Sequence, residues 1–77
     1  MTMKYIISKD DIPMVFSDLQ SHDAVAKAMS LKVVGAGFCF IGDAGLFECY
    51  GASISLEVVS RGAADSLIIN KRFGLVR

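Results

Sequence analysis

The chain has one proline, one histidine, two cysteines and no net charge, and each scarcity removes a class of protein. Eight basic residues balance eight acidic ones, and the pI is near 6.5. No overall positive field exists to draw in nucleic acid, and no recognition motif takes its place, so nucleic acid is not an expected partner. The longest uncharged apolar stretch, Val33 to Gly42, is about half the ~20 residues that a spanning helix needs, so no membrane is expected. The opening "MTMKYIISKD" returns to charge after a few apolar residues, too early for the apolar region of a secretory signal. The expected location is the cytoplasm.

Cys39 and Cys49 lack the C-x-x-C spacing of redox sites. A structural zinc site takes four ligands, whereas this chain offers two thiols and His22 on a different predicted element. The thiols are expected to pack as small hydrophobes, kept unpaired by a reducing compartment, although a disulfide is geometrically conceivable if they face each other. His22 stands beside Asp23 in the first turn of a predicted helix, a solvent-facing place, and no G-x-S-x-G motif singles out a serine for it to activate. Gly35, Gly37 and Gly42 do not have the spacing of a phosphate loop: a strand-like run, not a helix, follows Gly37, and the required lysine is missing. No catalytic residue, cofactor or metal is therefore expected, and the chain leans away from enzymes.

Apolar residues are plentiful: they make up 53% of the 77 residues, with a mean hydropathy of +0.51. A chain this short buries only roughly 60% of its unfolded surface, so some apolar area is expected to stay outside, where it marks a contact with another chain. The default partner is a second copy, as a homodimer.

With no repeat, linker or low-complexity segment, residues 1–77 read as one continuous domain. "KYIIS" and "IPMVFS" are β-rich runs around a charged turn; a two-residue loop at Asp10 and Asp11 pairs Ile7 with Met14, Ile6 with Val15 and Tyr5 with Phe16, every pair apolar. Pro13 cannot donate to a ladder, so its strand is expected either at a sheet edge or to begin after Pro13. In "SDLQSHDAVAKAMS" the period changes to that of a short helix capped by Asp18 or Ser21, with an apolar stripe of Ala24, Val25, Ala28 and Met29 and with Leu19 fixing its start.

In "GAGFCFIGDAGLFECYG" Phe38 and Phe40 alternate with Cys39 and Ile41. A three-residue loop at Asp43, Ala44 and Gly45 sets Cys39 across from Cys49 and Ile41 across from Phe47. Past Tyr50 the apolar residues shift to even positions, Ile54, Leu56 and Val58, which predicts a bulge or bend near Gly51 and Ala52 and leaves residues 46–58 as either one kinked strand or two. "SRGAADSLIINKRFG" predicts a last helix with Ser60 as its cap, Ala64, Leu67, Ile68 and Lys71 at helical spacing, and Gly74 as its stop. Leu75 and Val76 are free to dock on the body or on a partner. The expected class is α+β, a small mostly antiparallel sheet with two helices in the order β-β-α-β-β(-β)-α.

Two sets of surface residues follow. Phe38 and Phe40 on the sheet, with Ile69 and Phe73 on the last helix, are candidates for self-association. Tyr50, Ser53, Ser55 and Arg61 form a polar rim after the bend, a candidate groove for a peptide or small anion. Charge is also uneven: Asp10, Asp11, Asp18 and Asp23 lie early, and Arg61, Lys71, Arg72 and Arg77 late, which favours attraction between copies or a weak phosphate contact. The leading expectation is a small non-enzymatic interaction domain that self-associates. The alternatives are a small-ligand or peptide module using the rim, or a phage or mobile-element accessory protein acting on a larger partner.

Overall fold

The computed structural model describes residues 2–73. Its elements are β1 (Met3–Ser8), β2 (Pro13–Ser17), α1 (His22–Ala28), β3 (Val33–Ile41), β4 (Phe47–Tyr50), β5 (Ala52–Ser53), β6 (Val58–Val59) and α2 (Ala63–Phe73). Four strands form one antiparallel sheet in the order β2-β1-β3-β4, and β5 pairs with β6 as a separate ribbon. This is the expected α+β class and element order.

β1 is apolar on both faces because both are covered. Tyr5 and Ile7 join Cys39, Phe47 and Ile69 beneath α2, while Ile6 joins Ala26 and Ala36 on the opposite face, under α1 and the β5-β6 ribbon. Ile6 and Ile7 are fully buried, each contributing about 1.5–3 kcal/mol of hydrophobic stabilisation.

The β1-β2 register differs by one residue from that expected: Ile7 pairs with Pro13, Ile6 with Met14, Tyr5 with Val15 and Lys4 with Phe16. The loop has three residues, with Asp11 left-handed at φ 61°. Ser8 explains it: its backbone pairs with the Ile12 carbonyl and the Asp11 amide, and its buried hydroxyl accepts from the Asp10 and Ile12 amides. Pro13 does lie on an edge strand.

The β3-β4 hairpin has the expected register, Cys39 facing Cys49 and Ile41 facing Phe47. Gly45 takes the left-handed position at φ +77°, as a three-residue loop requires. The expected bend falls at Gly51, and two strands follow rather than one. The expected alternation of Ile54, Leu56 and Val58 is not a strand, however. Residues 54–57 are a turn, closed by the Glu57 amide on the Ile54 carbonyl, with Glu57 left-handed at φ 56°.

Both helices are rotated from the stripes expected of them. In α1 the Ser21 side chain caps the start, accepting from the Ala24 amide. The buried residues are His22 and Ala26, while Ala24, Ala28 and Met29 are exposed. Leu19 does not fix the start of the helix, being 92% exposed. In α2 Asp65 and Ile69 point inward, and Leu67 is exposed. Ser60 lies three residues ahead of the first helical residue, so it does not cap in the expected way; its hydroxyl accepts from the Gly62 amide instead. The expected stop at Gly74 and the docking of Leu75 and Val76 fall outside the described residues. Among those described, no helix is long and apolar enough to cross a membrane.

Candidate functional site

The most polar interior place is where β1 meets the start of α2. The Tyr5 hydroxyl lies 2.6 Å from both Asp65 Oδ2 and Ser60 Oγ. Asp65, fully buried, also accepts from the Arg61 amide at 2.9 Å and from Arg61 Nε at 2.8 Å. Gly35 makes this possible: a Cβ there would lie 2.5 Å from Asp65 Oδ2. Burial, then the neighbouring carboxylate, raises the Tyr5 pKa well above that of an ordinary phenol, so the hydroxyl keeps its proton. Every buried polar side-chain atom among the described residues has a partner. The cluster ties β1 to α2.

The cysteines face each other across β3 and β4 as free thiols. Burial pushes the Cys39 thiol up to about 12, and burial also raises that of Cys49. Neither is a ready nucleophile, since the thiolate is the reactive form. His22 is buried, not solvent-facing as its place beside Asp23 suggests. Its Nε2 donates to the Gly37 carbonyl at 2.7 Å, and its ring sits edge-on between Phe16 and Phe38. No group of three or more His, Cys, Asp or Glu among the described residues could hold a metal.

Of the four rim residues only Ser53 and Ser55 meet, their hydroxyls 3.4 Å apart. Tyr50 is exposed beside Phe38 and Phe40. Ser53 is buried, its hydroxyl taken by the Leu56 amide. Arg61 is bound to Asp65. Ser55 borders a hollow of about 250 Å³ with Lys4, His22 and Phe38, and none of the other three rim residues lines it. The self-association candidates separate as well. Phe40 and Phe73 are exposed, but Phe40 is on β3, on the sheet face opposite the one α2 covers, and Phe73 is on α2; Phe38 is half-buried, and Ile69 is fully buried. Ile69 therefore belongs to the core and offers no surface to a second copy.

The sheet's two edges contrast more sharply than its faces. At β4 the outer edge is closed by α2: Asn70 Oδ1 accepts from the Phe47 amide at 2.8 Å, and its Nδ2 donates to the Phe47 carbonyl at 3.1 Å. The Ser66 hydroxyl accepts from the Cys49 amide. One carboxamide thus imitates the backbone of an adjacent strand, which removes the template that an edge offers. Along β2 no described residue does this. Sequence reading missed Ser66 and Asn70; the signal present was that they are the two uncharged polar residues of α2, four apart and so on one face.

Comparison with family models, curated proteins and solved structures finds no match for this chain.

Proposed function

We propose that this chain is a small non-enzymatic interaction domain that acts by associating with a second copy of itself. One observation carries the reading: the groups suited to chemistry are consumed inside the fold, while large apolar side chains remain outside it. Tyr5, Asp65, His22 and Cys39 are buried, whereas Ile12, Phe40, Tyr50, Leu67 and Phe73 are each at least a third exposed. Apolar area left in water favours association, and among homo-oligomers a two-fold dimer is the commonest form. The cytoplasm fits this reading, since free thiols persist in a reducing compartment.

Light scattering on a sizing column, run at several loading concentrations, tests it. A mass that climbs toward twice the protomer value is expected. A constant protomer mass at every loading contradicts the proposal.

A further inference from the structure

We infer that two copies join edge to edge through β2, antiparallel about a two-fold axis at Val15, continuing the sheet from one copy into the other. The inference rests on the self-association reading and names its site.

The outward groups of β2 follow from its ladder. The Ser8 amide donates to the Ile12 carbonyl, which makes Ser8 and Ile12 the bonded position that closes this ladder, and bonded positions alternate along antiparallel strands. Met14 and Phe16 therefore bond inward to β1, while Pro13, Val15 and Ser17 turn their backbone groups outward. Pro13 has no N–H to offer, and the Ser17 carbonyl already accepts from the Gln20 amide. Among the described residues the Pro13 carbonyl, the Val15 amide and carbonyl, and the Ser17 amide have no partner, although Pro13 as a residue is buried.

This set complements itself in one register. With Val15 opposite the second copy's Val15, the two valines exchange two hydrogen bonds, and each Ser17 amide meets the other copy's Pro13 carbonyl. The missing donor of Pro13 falls opposite the acceptor already taken at Ser17. Sliding the copies by two residues either way loses half of these bonds, by leaving Val15 facing either the proline nitrogen or the occupied carbonyl. The side chains agree with this register: Val15 meets Val15 on one face and Met14 meets Phe16 on the other, all apolar pairs of the kind that stabilise sheets.

Lys71 and Arg72 border the hollow at the Pro13 end of β2 together with Asp11, beside exposed Ile12, and Asp18 borders the hollow at the Ser17 end. The two-fold brings Lys71 and Arg72 of each copy to the end where the other copy carries Asp18, an attraction that Asp11 offsets in part.

Val15→Pro tests the pairing. It removes an N–H that points away from β1, which an edge strand tolerates, and deletes both central bonds. Circular dichroism should report a folded protein whose dimer is weakened roughly 10- to 100-fold. Amide exchange of the unaltered protein needs no substitution: Val15 and Ser17 should be protected at high concentration and exchange freely on dilution, while Met14 and Phe16 stay protected throughout. A dimer in which Val15 and Ser17 exchange freely, or which Val15→Pro leaves intact, overturns the β2 interface but leaves self-association standing. A monomer at every concentration overturns both.

Discussion

Tyr5 and Asp65 meet at 2.6 Å where neither side chain is open to water, so the hydrogen bond holds β1 to α2. Tyr5→Phe removes the proton that Asp65 accepts and leaves Ser60 one partner fewer. A loss of about 1–3 kcal/mol is expected in urea unfolding; no loss contradicts the role assigned to the pair. The buried thiols give a pH signature. An unfolded thiol ionises near about 8.5, whereas Cys39 is held up to about 12 in the fold, and Cys49 and Tyr5 are raised in the same direction. Protons bound more tightly by the folded state contribute stability that is complete below the unfolded pKa and disappears as pH rises to the folded one. Unfolding free energy should therefore be level around neutrality and fall above about pH 8.5. A thiol reagent should label Cys39 much faster in urea than in buffer, and equal rates contradict its burial.

At the scale of elements, what could be read from the sequence depended on whether two cues agreed. The β3-β4 register was legible because Gly45 in the loop and the parity of Cys39 with Cys49 pointed to the same pairing. In β1-β2 every candidate pair was apolar, so parity could not distinguish registers, and the Ser8 hydroxyl decided the loop. Helix positions were legible but their rotation was not, because polar residues set it. His22 anchors α1 through the Gly37 carbonyl, and Asp65, Ser66 and Asn70 anchor α2, yet in sequence each resembles a solvated residue. The alternation at Ile54, Leu56 and Val58 misled because a left-handed Glu57 turns the chain there. The candidate site was least legible: the contrast between edges depends on Asn70 reaching Phe47 across the fold. Asn70→Ala should uncover that edge, costing about 1–3 kcal/mol. Exchange of the Phe47 amide should accelerate, and light scattering should rise with concentration, as an unguarded edge predicts. Unchanged exchange at Phe47 contradicts the guarding role.

For the whole molecule, the radius of gyration is 11.3 Å, against about 11.5 Å for a compact chain of this length. Apolar residues are therefore outside because so short a chain cannot enclose them, not because the fold is loose. A thin sheet covered on both faces spends its apolar side chains twice over, and Ile12, Phe40, Leu67 and Phe73 are left in water. If Asp18 opposes Lys71 and Arg72 across a two-fold axis, raising salt should weaken the dimer by only a few-fold, because exposed ion pairs contribute little. A salt dependence of several orders of magnitude contradicts an interface built mainly on backbone and apolar pairs. The most direct measurement is sedimentation equilibrium of the unaltered chain across a wide concentration range. Mass should rise from the 8.3 kDa protomer to a plateau at twice that value and stop there. A mass fixed at 8.3 kDa up to the highest concentration contradicts self-association outright.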